Sequence, residues 1–119
     1  MILDQQQITF INENEWVVFA TADMNAAPRA AVVMPSRVDA GRIIISDVQM
    51  TQSAENVKAN PRVFVSSYKG DTQIKISGAA EYRDSGSLFD EIKEFEKTRD
   101  VDVKGIIIVT IEHIEQTDG

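Results

Sequence analysis

The sequence predicts a mainly β fold: a small antiparallel barrel of six strands with three short helices set among them. Three observations carry this reading. Six short runs rich in β-branched and aromatic residues recur along the 119-residue chain, each bounded by turn formers. The connections at 38–41 (Val-Asp-Ala-Gly) and 69–71 (Lys-Gly-Asp) are of hairpin size, which makes the sheet largely antiparallel. Strands this short, in a chain long enough for one domain, have to curl to cover a core.

The elements follow in order. Residues 3–14 read as a helix, with Asp4 as its N-cap and Leu3, Ile8 and Ile11 giving a rough apolar face. Residues 16–22 (WVVFATA) form the first strand and 23–27 a turn. Pro28 suits the start of the second strand, 28–37, and Pro35 forces an edge position or a bulge near its end. Gly41 can supply a positive φ in the hairpin before the third strand, 42–46. After a loop at 47–50, Thr51–Ala59 reads as the second helix, closed by Asn60-Pro61.

Residues 62–68 are the fourth strand and 72–83 the fifth. In the latter, Gln73, Lys75 and Ser77 alternate with Ile74 and Ile76, the pattern of a strand with one wet face. Gly78 inside it marks a bulge or a close backbone approach. Ser87–Lys97 reads as the third helix, with Ser87 and Asp90 as a capping box and Leu88, Ile92 and Phe95 on one face. A charged loop at 98–104 leads to the last strand, 105–116. Its unbroken apolar run, Ile106 to Val109, predicts burial on both faces, and a homodimer is the expected cover for the second face.

Composition excludes several function classes. With 19 acidic against 12 basic residues the net charge is −7. A duplex-binding or anionic-membrane-binding protein needs a basic face, so no nucleic acid and no membrane partner is expected. No cysteine is present, which removes disulfides, thiolate metal sites and thiol catalysis. No run of 18 apolar residues occurs, and the opening MILDQQQ lacks the layout of a signal peptide, so the expected compartment is the cytoplasm.

The catalytic inventory is thin. His113 is the only histidine, and no nucleophile elbow, phosphate-binding P-loop or dinucleotide fingerprint occurs. His113 and the carboxylates Asp100, Asp102, Glu112 and Glu115 read most simply as a solvated rim. Trp16 reads as core or interface, and Tyr68 and Tyr82 as rim anchors. One stretch stands apart. A strand at 42–46 delivers a loop onto the start of the Thr51–Ala59 helix, where several backbone N–H groups have no partner within the helix. The hydroxyls of Thr51 and Ser53 lie there. They can serve as ordinary N-caps, or, with the helix dipole, they can help receive a small anion such as a phosphate.

Taken whole, the chain resembles the flavin-binding split-barrel proteins, the pyridoxamine-phosphate-oxidase-like superfamily, and most of all its small FMN-binding members. The resemblance rests on Phe19-Ala20-Thr21-Ala22 followed by Pro28, on Gly41-Arg42-Ile43-Ile44-Ile45, on the segment from Ser53 to Asn60-Pro61-Arg62-Val63, and on the run from Gln73 to Glu81, with matching order and spacing. It implies a six-stranded antiparallel Greek-key split β-barrel of the FMN-binding type, working as a homodimer with two FMN sites at the interface. It places the flavin ring along Ala31, Val32, Val33 and Met34, with Ser46, Asp47 and Met50 bordering it. The phosphate falls at Thr51, Gln52 and Ser53, and Gln73 reaches the flavin from the other subunit. The implied activity is that of an FMN-dependent oxidoreductase in which the cofactor carries the redox chemistry and no side chain acts as acid or base.

Two departures favour an alternative. The family pattern has a lysine, often beside an arginine, where this chain has Gln52 and Ser53. Losing one charge-assisted hydrogen bond of about 1.5–3 kcal/mol weakens binding about ten- to a hundredfold. Asp47 adds a like charge, which leaves Arg29, Arg37 or Lys75 to meet the phosphate. The alternative is a member that has lost FMN and binds another groove ligand, such as a deazaflavin or haem. The C-terminal substrate-binding segment of the true oxidases has no counterpart before Gly119, so oxidation of pyridoxamine phosphate is not expected.

Overall fold

The computed structural model of the chain describes residues 1–118. Helix α1 (Gln5–Asn14) starts as the sequence predicts. The Asp4 side chain accepts from the Gln7 backbone N–H, and the Gln7 side chain accepts from that of Asp4, a complete capping box. The strands are β1 (Val17–Ala22), β2 (Pro28–Val33), β3 (Arg37–Val38), β4 (Arg42–Asp47), β5 (Arg62–Lys69), β6 (Thr72–Arg83) and β7 (Gly105–Asp118). Helix α2 (Thr51–Ala59) lies between β4 and β5, and α3 (Ser87–Lys97) between β6 and β7.

All the pairings are antiparallel, in the order β2-β1-β5-β6-β7-β4-β3. The outermost strands, β2 and β3, are consecutive in the chain and joined only through Met34, Pro35 and Ser36. So short a link spans at most about 14 Å, so the two ends of the sheet stand side by side and the sheet is a curled, split barrel. The expected second strand at 28–37 is therefore two strands, seven in all rather than six. Pro35 lacks an N–H for a ladder, and the break at that residue divides the barrel.

The core has two layers. The barrel interior holds Val17, Phe19, Ile43, Ile45, Val65, Ile74, Ile76, Ile107 and Val109, closed at its ends by Leu3 and Ile11 and by Val57 of α2. The other face of β4 and β7 presents Ile44, Ile106 and Ile108 to Phe89 and Ile92 of α3 and to Val103. The apolar run in the last strand is thus buried on both faces, as its pattern predicts. Its second face is covered by α3, not by another chain.

Gly78 meets both expectations for a strand glycine. The β6–β7 register shifts between Ser77 and Gly78, and a Cβ on Gly78 would lie 2.2 Å from the Thr110 carbonyl oxygen. Other local expectations change. Helix α3 is preceded by Gly86 at φ 101, and no Ser87 capping box forms. The tight turn at 69–71 uses Gly70 at φ 59, whereas Gly41 stays outside the positive-φ region. Trp16 is not core: it is 56 % exposed. No helix among the described residues is long and apolar enough to cross a membrane.

Candidate functional site

The start of α2 is the feature the sequence singles out, and its geometry separates the two readings of Thr51 and Ser53. Met50 occupies the N-cap position, and no side chain makes a capping hydrogen bond. The first N–H to bond within the helix is that of Ala54, to the Met50 carbonyl at 2.8 Å. The N–H groups of Thr51, Gln52 and Ser53 are therefore the helix's unpartnered donors, with no acidic residue in the first turn to complement them. Thr51 is exposed and Ser53 buried. Gln52 turns away from the helix start, and its amide donates to Asn56 Oδ1 at 2.8 Å.

That bond continues into the protein. Asn56 Nδ2 donates to the Thr21 hydroxyl at 3.0 Å, and both residues are buried. An asparagine in mid-helix is unfavourable unless its amide finds partners, and here both of its ends do. The ladder fixes α2 to β1. It leads to Arg29, which pairs with Thr21 across β1 and β2 and is exposed. Of the three cations proposed from sequence, Arg37 pairs with Glu91 at 2.9 Å and Lys75 with Glu115 at 3.7 Å. No ion pair occupies Arg29 among the described residues.

Asp47 ends β4 and is 6 % exposed. Its Oδ1 accepts the Met50 N–H at 2.9 Å, and its Oδ2 accepts the Tyr82 hydroxyl at 2.7 Å. Burial first, and then the Asp47 carboxylate, push the Tyr82 phenol from 10.0 up to about 12. Sequence reasoning places Tyr82 at the rim and misses this contact. Its partner lies far away in the chain, and only the strand order brings the two together.

The remaining predicted residues fall into separate groups. Ala31 and Val33 lie opposite Phe19 and Val17, whereas Val32 lies opposite Val18 on the other face. A ring laid along β2 therefore meets one set of side chains, or the backbone of this edge strand. Ser46 and Asp47 point to opposite faces of β4. Ser46 Oγ lies 2.5 Å from Ser36 Oγ, which in turn donates to buried Glu96 of α3 at 3.0 Å. Met34 Sδ lies 3.8 Å from the Arg99 guanidinium, and Met50 packs against the barrel interior. Neither Glu96 nor Arg99 is foreseen at this end, since α3 reads only as an amphipathic helix and 98–104 only as a charged loop. Gln73 donates to the Ser66 hydroxyl at 2.8 Å and stands near the far end of β6 from Tyr82. The nine intervening steps span roughly 30 Å of strand. One chain alone does not unite Gln73 with the start of α2.

His113 is exposed on β7 opposite Ser77. It lines a shallow groove of about 440 Å³ with Phe64, Ala20 and Arg62. Among the described residues no group of three or more acidic or histidine side chains is arranged to hold a metal.

Residues 3–118 match the family model of pyridoxamine 5'-phosphate oxidase. The chain belongs to the pyridoxamine 5'-phosphate oxidase family. Solved structures share the family's split-barrel fold with it. HupZ of Group A Streptococcus superposes with a TM-score of 0.89 at 18 % identity, over 98 % of this chain and 96 % of that one. An FMN-binding protein from Syntrophomonas wolfei gives 0.78 at 18 % identity, over 92 % and 82 %. HutZ, the haem storage protein from Vibrio cholerae, gives 0.71 at 15 % identity, over 98 % and 96 %. At these identities the likeness is one of fold. No curated protein matches the chain.

Proposed function

We propose that this member of the pyridoxamine 5'-phosphate oxidase family binds an FMN-type flavin along β2, with the phosphate at the start of α2, and serves as a flavin-dependent oxidoreductase. The observation that carries the reading is the open turn at Thr51, Gln52 and Ser53. Three backbone donors there lack any capping side chain, at the positive end of a helix dipole. The residues fit the group in two further respects. Arg29 is an exposed cation beside the Thr21–Asn56–Gln52 ladder, able to take the place of the missing lysine. The free edge of β2 offers backbone groups to a flat heterocycle. A bound flavin supplies the redox chemistry, while the chain binds and orients it.

A homodimer belongs to the same reading. Trp16, Val32 and Tyr68 are 56 %, 66 % and 65 % exposed. They share one outer face of β2, β1 and β5 with Val18, Ala20 and Phe64, as the register requires. A contiguous apolar face of this kind is the surface a second copy would cover. A partner's Gln73 end could then approach the flavin of the first subunit. Val32→Asp places a charge on that face and should convert a dimer to a monomer by light scattering. An unchanged mass would remove this face from consideration.

Titration of the purified protein with FMN, followed by flavin fluorescence, tests the main reading. Saturation near one FMN per chain supports it, and no binding at high FMN defeats it. The second reading is haem. His113 beside Phe64 in the 440 Å³ groove favours it, as an exposed imidazole available to an iron. A Soret shift on adding haem that disappears in His113→Ala would establish that reading. A shift unchanged in the variant would rule out His113.

A further inference from the structure

We infer that Tyr82, acting through Asp47, is a positioning residue for the anion-binding turn at the start of α2. The inference rests on the flavin reading. On charge alone Asp47 opposes a phosphate dianion, but its geometry gives it another role. A carboxylate that reaches three residues forward to a backbone N–H closes a local turn, and this one sets the path of the chain from β4 into α2. The direction of the Thr51–Ser53 donors depends on that path.

Tyr82 fixes the carboxylate from two strands away. It stands on β6 and Asp47 on β4, with β7 between them. The crossing is possible because Gly105, the β7 residue paired with Asp47, has no side chain. A Cβ there would lie 2.2 Å from the Tyr82 hydroxyl and 2.4 Å from the ring carbon that bears it. The tyrosine passes over this glycine to reach the carboxylate. Behind it, Lys58 of α2 places Nζ 4.5 Å from the centre of the Tyr82 ring, so the same side chain also touches the helix it orients. The Asp47 carbonyl accepts from the Lys104 N–H at 2.8 Å, which pins the end of β4 to the entry of β7. Strand, loop and helix thus meet at one phenol, and a site held this way enters binding already shaped.

Charge and position can be separated. Tyr82→Phe keeps the carboxylate and loosens its anchor. Two measurements decide: FMN and riboflavin affinities by fluorescence titration, and amide hydrogen exchange at residues 48–54 in the ligand-free protein. In Tyr82→Phe, FMN binding should weaken about tenfold, riboflavin binding should hold, and exchange at 48–54 should rise while β4 and β7 stay protected. Unchanged exchange in Tyr82→Phe would overturn the clamp. Faster exchange with an unchanged FMN-to-riboflavin ratio would overturn its role at the site. If the wild type binds neither flavin, the flavin reading and the ligand half of the inference fall together, and the exchange result alone judges the clamp.

Discussion

Helices α1 and α2 begin in opposite ways. The start of α1 is closed by its own residues, with Asp4 and Gln7 each taking a backbone N–H of the other. The start of α2 is open, with Met50 at the cap and no side chain on the first-turn donors. Helix α3 also lacks a capping side chain, but Asp90 sits in its first turn and complements the dipole. Among the described residues α2 is the one helix with neither device. Its entry is braced instead by Asp47 and Tyr82. A helix start that serves only stability can be closed, whereas one that serves a ligand needs its donors free and its approach rigid.

Closing α2 as α1 is closed should have the largest effect. Thr51→Asp puts a carboxylate among the open donors. It should raise helix stability by about 0.3–1 kcal/mol through the dipole and weaken FMN binding roughly a hundredfold by repulsion and occupancy. Titration with FMN and urea unfolding read the two effects, and their opposite signs are the point. Should the variant bind FMN as the wild type does, the phosphate lies elsewhere. The reverse experiment opens α1. Asp4→Ala should cost about 1 kcal/mol in unfolding and leave FMN affinity alone. A change in FMN affinity there would mean that the two helix starts are not independent.

The smallest effect concerns pH. The Tyr82 phenol titrates near 12 in the folded chain against 10.0 for the free side chain. A group whose pKa is raised on folding contributes stability that is present below the lower value and is lost as pH climbs through the higher one. Wild-type stability should therefore fall between about pH 10 and 12 by more than that of Tyr82→Phe. Parallel curves for the two proteins would show that the phenol contributes nothing there.

The residues legible in the sequence were those whose reason is local. Asp4 could be read as a cap because its partner Gln7 is one helical turn away. Pro35 could be read as an edge or a bulge, though not as the full break it makes, because a missing N–H acts where it stands, and Gly78 as a bulge or close approach from its own position. The barrel was read from six short β-rich runs and their hairpin-sized connections, which are local signals too, and the family resemblance matched it. What stayed hidden depends on strand order. Nothing near Asp47 announces Tyr82, and nothing near Tyr82 announces the gap at Gly105. The turning of Gln52 toward Asn56 needed the buried Thr21 hydroxyl on another element. The cover on the second face of β7 was assigned to a second chain because an amphipathic pattern shows that α3 has an apolar face, not which face of the sheet it meets. The start of α2 was legible as a candidate place. Its bracing was not.

The proposed role of the α2 start is to stay open for a phosphate. Parallel titration of the wild-type protein with FMN and with riboflavin tests it most directly, because the two ligands share the ring and differ in the phosphate. FMN should bind at least about tenfold more tightly, a difference that one charge-assisted set of hydrogen bonds supplies. Equal affinities would contradict it, because the open donors of α2 would then contribute nothing to the ligand they are held open to receive.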